Sequence, residues 1–160
     1  MTQVNNLHSL DALFGNRVFM SALISWGIAQ LIKVVINLIR GNSDGAGKNF
    51  IHFLWGTGGM PSSHSSAIVA VTTSVGFIEG IGSVLFACLL VISIIIIRDA
   101  LGVRFSAGMQ AKSLNHLGHQ LKKSYSMDYT PVKEVNGHTF PEVAVGVILG
   151  FFIALAVCTL

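Results

Sequence analysis

Charge is the scarcest property of this sequence. Only 11% of its 160 residues are charged, while 52% are hydrophobic. An ordinary soluble domain is about 25% charged, so this chain has too few charges to cover a soluble surface. Cysteine is nearly missing too. Cys88 and Cys158 both lie in apolar runs, and no CxxC or Cys/His zinc spacing exists. That excludes a disulfide framework or zinc module and leaves two small buried hydrophobes as the expectation. The ten Lys and Arg residues give a net charge of only +3. They form no stripe interleaved with stacking aromatics, which excludes a nucleic-acid surface. The first 16 residues hold Asp11 and no Lys or Arg, and no small-residue cleavage site follows. A cleavable leader is therefore not expected. There is no internal repeat and no low-complexity tract.

What the chain has in quantity is long apolar runs. A spanning helix needs about 20 mostly apolar residues, with a lower limit near 17. Four segments approach or meet this: Val18 to Ile39, Ser62 to Phe77, Ile81 to Ile97 and Pro141 to Leu160. Lys33 is the only charge inside the first. Between Ser65 and Ile97 the only charge is Glu79, in Glu79-Gly80-Ile81-Gly82, which reads as a tight turn between two spans. Leu7 to Phe14 is short and apolar-biased, suited to the interface. Gly41 to Gly59 reads as a Gly-rich polar loop, and Ser126 to Asn136 as a turn-rich link. Phe105 to Tyr125 is amphipathic: Ala107, Ala111, Leu114 and Leu121 share one face, and Gln110, Lys112, Asn115, His119 and Lys122 the other. It predicts a helix on the membrane surface. The expected fold is one all-α domain over residues 1–160, a polytopic membrane bundle of about four spans plus this interfacial helix.

The basic residues orient it. Arg40, Lys48, Arg98, Arg104, Lys112, Lys122, Lys123 and Lys133 fall on one side, and Arg17 alone on the other. The positive-inside rule makes the crowded side cytoplasmic.

Three polar clusters fall at that side. The first, Gly58-Gly59-Met60-Pro61-Ser62-Ser63-His64, opens the second span. Glycines admit an anion to the backbone, helix-start amides favour phosphate, and His64 one turn in can donate a proton. Its bland reading is a capped helix with an interfacial His. The second, Asp99 to Arg104, ends the third span. Arg suits bidentate phosphate recognition, and Asp99 can orient an Arg or a His. Its bland reading is stop-transfer charge. The third, Lys133 to Gly146, opens the fourth span. His138 and Glu142 are four apart there and share a face if that turn is helical. A carboxylate on one imidazole nitrogen leaves the other free to attack. Its bland reading is an interfacial His and a Glu favoured by the helix dipole. Four spans bring all three clusters to one level, and polar groups near a membrane core mark function.

At these residues the sequence resembles the type 2 phosphatidic acid phosphatase superfamily, which includes the vanadium haloperoxidases, and more closely its divergent membrane branch. The similarity rests on Gly-Gly-Met-Pro-Ser-Ser-His-Ser from Gly58, Asp-Ala-Leu-Gly-Val-Arg from Asp99 and Gly-His-Thr-Phe-Pro-Glu-Val from Gly137, with support from Gly108 to Asn115. It runs from about Gln30 to the C-terminus. The resemblance implies that His138 is a nucleophile oriented by Glu142, that His64 is the general acid, and that basic side chains and amides hold the phosphate. Three positions depart from the superfamily pattern. Its upstream Lys and Arg-Pro motif is absent, with Lys48 as a stand-in; Val132 stands where an Arg is usual, beside Lys133; and Glu142 replaces an Asp.

The expected function is a membrane-embedded, metal-independent lipid phosphatase working through a phosphohistidine. Phosphatidylglycerophosphate, phosphatidate and polyprenyl diphosphate all fit. The expected catalytic residues are His138, His64, Glu142 and Asp99. Arg104, Lys133, Ser62, Ser63 and Lys48 are the expected phosphate ligands. No cofactor and no metal are expected. The partners are the lipid phosphate and membrane lipids; four short spans shield a polar site poorly, which is compatible with a homo-oligomer. The expected location is the inner membrane, with the site facing the cytoplasm. The basic-motif departures carry the alternative, a lipid-phosphate-binding or scaffolding protein with weak turnover. A third reading, a metal-dependent enzyme or transporter, adds His116 and His119, which are three apart and able to chelate.

Overall fold

The computed structural model describes residues 11–39, 59–134 and 137–160. Lys48, Arg40 and most of the Gly41 to Gly59 loop lie outside the described residues, as do residues 7–10 of the N-terminal segment. Among the described residues five helices carry the fold: α1 Arg17–Ile39, α2 Ser63–Ile78, α3 Val84–Leu101, α4 Val103–Tyr125 and α5 Phe140–Thr159. The protein is an all-α membrane bundle. α1, α5 and the continuous α3–α4 stretch are long and apolar enough to cross a bilayer, and α2 is a shorter apolar helix. α4 is the amphipathic helix.

α2 has only 16 residues. At 1.5 Å per residue it is about 24 Å long, short of the ~30 Å hydrocarbon core. Its position explains why this is tolerated: α1, α3 and α5 all pack against it, so it meets protein where the others meet lipid. Apart from Val75 its buried residues are polar or small: Ser63, Ser65, Ser66, Ala70, Thr72 and Ser74.

The packing of α1, α2 and α5 follows a four-residue rhythm of small side chains. Such residues let helix backbones approach in a bilayer, where apolar side chains gain nothing by leaving lipid. On α1 the buried positions include Ser21, Ser25, Ala29 and Lys33. On α2 they are Ser66, Ala70 and Ser74, in register with the cap Ser62. On α5 they are Gly146, Gly150 and Ala154. Ser21 and Ser74 share a hydroxyl hydrogen bond of 2.6 Å, and Ser25 and Ser66 one of 2.5 Å. Across the α2–α5 seam a Cβ on Gly146 would stand 2.5 Å from the Ser62 carbonyl oxygen, and one on Gly150 would strike the Ser66 carbonyl. At the opposite end, Arg17 Nη1 donates to the Cys158 carbonyl at 2.8 Å and ties the start of α1 to the end of α5.

α3 is attached more loosely. Ser93 and Thr72 hydrogen-bond at 2.7 Å, and the Phe86 ring lies against Gly76. Most of its other side chains, including Ile94 and Ile95, are exposed to the hydrocarbon. Cys88 is among them, so the expectation that both cysteines are buried fails; Cys158 is half-buried. The helix starts at Val84 rather than Ile81, because Gly80 turns the chain with φ +87° and Ser83 caps the helix through Phe86 N. Its other end passes through Gly102 into α4.

Candidate functional site

The ends of four elements meet at one face of the bundle: the last turns of α1, the start of α2, the end of α3 and the start of α5. The nucleophile candidate comes from the last. Thr139 caps α5, and Glu142 reaches back in a capping box, its Oε2 accepting from Thr139 N at 3.0 Å. The same oxygen lies 3.2 Å from His138 Nδ1. A carboxylate can only accept here, so Nδ1 carries the proton and Nε2 keeps its lone pair. The bland reading of Glu142 and the functional one are thus both realised in one side chain.

His138 is held by backbone as well. Its N–H donates to the Ala100 carbonyl at 3.2 Å, and Gly137 lies so close to Arg104 and Phe105 that any Cβ would meet their backbone. The second cluster therefore serves as the seat for the third. Upstream, Asn115 fixes the link from α4. Its Oδ1 accepts from Tyr129 OH at 2.6 Å and Val132 N at 2.9 Å, while its Nδ2 donates to Val132 O at 3.0 Å and Glu134 Oε1 at 2.8 Å.

His138 is buried, at 6% exposure. Burial holds its pKa below the ordinary histidine value; the Glu142 hydrogen bond opposes this, and the charges of Lys33 and Arg104 add to it. The imidazole is therefore neutral at neutral pH. His64, one residue into α2, shares the electrostatic surroundings of Arg104, Lys33 and His138. The two histidines of the first and third clusters are thus brought together.

The basic residues differ from expectation. Lys33 is buried at 6% exposure and its Nζ donates to Ser63 Oγ at 3.3 Å. Its charge acts on both histidines. Sequence reasoning left it as a stray charge in an apolar run, although an unexplained intramembrane Lys is itself the signal. Arg104 is present as expected. Asp99 Oδ2 takes its Nε at 2.7 Å, so among the described residues its terminal Nη groups remain for an anion. Asp99 thus pairs with Arg104, one of the two partners the sequence offers it, and not with a histidine. Lys133 is exposed, and its charge is not among those acting on His64 or His138. The link that carries it is clipped to Asn115, and the lysine whose charge acts on both histidines is Lys33. Lys48 lies outside the described residues.

Ser62 is also corrected. It was expected to offer its amide to phosphate, but the amide donates to the Glu142 carbonyl at 2.9 Å and the residue is fully buried. Its hydroxyl meets Ser65 N and Ser65 Oγ. The first-turn amides of Ser63 and His64 remain as the helix-start donors. His116 and His119 turn elsewhere: His116 hydrogen-bonds Gln120 at 2.9 Å, and the His119 ring packs edge-on against Tyr129. Among the described residues no three His, Cys, Asp or Glu side chains gather as a metal site.

Beside the His138–Glu142 pair is a half-open cleft of about 310 Å³ between α4 and the start of α5. Glu142, Thr139 and Gly137 form one wall, and Phe105, Met109 and Lys112 the other.

No solved structure matches the chain. The chain is 34% identical over 154 residues to the uncharacterized membrane protein YuiD of Bacillus subtilis (strain 168), an alignment covering 89% of this chain and 94% of that one. Residues 14–153 match the divergent PAP2 family, and the match takes in α1 to α4 and the first two-thirds of α5. This chain belongs to the divergent PAP2 family.

Proposed function

We propose that this protein is a membrane-embedded phosphatase that hydrolyses a lipid phosphate through a phosphohistidine. The observation that carries the reading is the His138–Glu142 pair: a buried, neutral imidazole with its Nδ1 proton on a carboxylate, near a second histidine and two cations. Nε2 of His138 attacks phosphorus in line, and the bond to the lipid alkoxide breaks. His64 gives that alkoxide its proton. The imidazolium formed at His138 is stabilised by Glu142. Water then attacks the phosphohistidine, His64 takes a proton from it, and inorganic phosphate leaves. Lys33, Arg104 and the Ser63 and His64 amides stabilise charge on the equatorial oxygens.

Lys33 bears on the rival reading, a binding or scaffolding protein. That rival rested on the missing upstream basic motif. A buried lysine from the first span, hydrogen-bonded to Ser63, supplies a cation at the start of α2 that the rival left out of account. The excess of Lys and Arg around the site's end of the bundle favours a cytoplasmic active face in the cell's inner membrane.

The test is phosphate release by detergent-purified protein from phosphatidate, phosphatidylglycerophosphate and polyprenyl diphosphate, with chelator present. Wild-type release, lost in His138→Ala, is the expected result. A folded wild-type protein that binds phosphate or vanadate and releases nothing would assign it to the binding class instead.

A further inference from the structure

A second cavity, of about 580 Å³, lies at the end of the bundle away from the histidines. It forms where α1 begins, α2 ends and α3 begins, and the proposed reaction uses none of its residues. Two opposite charges, Arg17 and Glu79, line it. They are not paired with each other: the ion pairs among the described residues are Arg104–Asp99 and His138–Glu142.

Both charges are mounted on fixed backbone. Arg17 opens α1, and its Nη1 donates to the Cys158 carbonyl, which leaves Nε and Nη2 for an anion. Glu79 closes α2, its N–H donating to the Val75 carbonyl, and its carboxylate has no partner among the described residues. The dipoles of these two helices act in the same sense, since the start of α1 favours an anion and the end of α2 a cation. Asn16, the remaining polar residue of the lining, uses its Oδ1 to cap α1.

The rest of the lining narrows the ligand. Val18, Val75, Ile78 and Leu85 are apolar; Val75 is buried, while Ile78 and Leu85 are exposed on the outside of the bundle. The cavity therefore runs out onto a surface that lipid chains cover. Arg17 and Glu79 stand at helix ends, the level of lipid head groups. A head group with one phosphate and one ammonium satisfies both charges at once. Among the described residues no aromatic side chain lines the cavity, so it lacks the ring cage that suits a quaternary ammonium. A primary ammonium instead donates charge-assisted hydrogen bonds to a carboxylate.

We propose that this cavity binds a zwitterionic phospholipid with a primary-amine head group. Its phosphate lies on Arg17, its ammonium on Glu79, and its first chain carbons along Val75, Ile78 and Leu85. The site is separate from the histidines and does not depend on the phosphatase reading.

The experiment measures binding of short-chain phosphatidylethanolamine, phosphatidylcholine with the same chains, and free O-phosphoethanolamine to the full-length protein in detergent. The two lipids carry the same phosphodiester, so binding at the histidine site is common to both and the comparison holds whether or not His138 catalyses. Wild type should prefer the ethanolamine lipid by about tenfold. In Glu79→Gln that ratio should fall towards one, with the thermal midpoint unchanged because the carboxylate holds no protein partner. Glu79→Asp should restore part of the preference. Equal binding of the two lipids by wild type, or a preference that survives Glu79→Gln, overturns the proposal. Free O-phosphoethanolamine binding as tightly as the lipid would assign the cavity to a soluble ligand. A loss of self-association in Glu79→Gln with lipid binding unchanged would assign it to a second copy of the chain. Either result also refutes the lipid site.

Discussion

The bundle has two parts built on opposite rules. In α1, α2 and α5 the inward residues are Ser, Ala and Gly, and backbones touch. In α3 and α4 the contact is thinner, and large aliphatic side chains such as Ile94 and Ile95 point away from protein. In water the second part would look like a misfolded surface. In a bilayer it costs little, because lipid tails are as apolar as isoleucine, and packing gain goes to the small residues. The chemistry divides along the same line. His64, His138, Glu142 and Lys33 belong to the tight trio, whereas Arg104 comes from the loose pair. In the proposed mechanism the bond-making groups thus sit where positions are most constrained.

The comparison can be broken most sharply at the nucleophile. His138→Ala should lower phosphate release by about a thousandfold or more while leaving the thermal midpoint in detergent nearly unchanged; an active variant would remove His138 from the mechanism. Lys33→Met should come next. It removes a cation and leaves Ser63 Oγ without its donor, so a loss of about 10- to 100-fold in kcat/KM is expected from lipid-phosphate kinetics.

The pH profile sharpens the same site. Because burial depresses the pKa of His138, the acid limb of kcat/KM should lie below about 6.5, the ordinary histidine value. Between its folded pKa and that ordinary value the unfolded state binds more protons. Stability is then full above about 6.5 and is lost as pH falls towards the folded value. In His138→Asn this part of the pH dependence of the thermal midpoint should vanish.

Away from the site, Gly150→Val should destabilise by about 1–3 kcal/mol through overpacking against the Ser66 backbone. Ile95→Ala on α3 should cost less than about 0.5 kcal/mol. Denaturation in detergent compares the two, and equal costs would erase the distinction between the halves. Smallest of the inward changes, Ser21→Ala should lose roughly 0.6 kcal/mol, the average for a hydrogen bond between membrane helices.

Much of this was legible before any coordinates. Apolar runs placed the spans to within a few residues, because the bilayer demands length and nothing subtler. The His138–Glu142 spacing and the convergence of three clusters were readable because helix ends at one membrane face must share a level. The four-residue stripes were printed in the sequence too, at Ser21, Ser25 and Ala29 and again at Gly146, Gly150 and Ala154. They go unread when apolarity is averaged over a window, since small residues hardly change the mean. The part of Lys33 was hidden for a different reason. Depth within a bundle decides whether a lysine meets a site, and neighbours in sequence do not report depth. Lys133 sits five residues from His138 and is exposed; Lys33 is over a hundred residues away, is buried, and its charge reaches His138.

The hydrogen bond from Ser62 N to the Glu142 carbonyl has one more implication. It joins the cap of the helix bearing His64 to the first turn of the helix bearing His138, just where Gly146 lets the two backbones touch. The proposed proton donor and attacking nitrogen are thus mounted like the jaws of a fixed-gap gauge. A lineage needing a different substrate would find it hard to reset that gap without taking the seam apart. The adjustable wall is α4, and changes of specificity among relatives should accumulate there while the gauge keeps its setting.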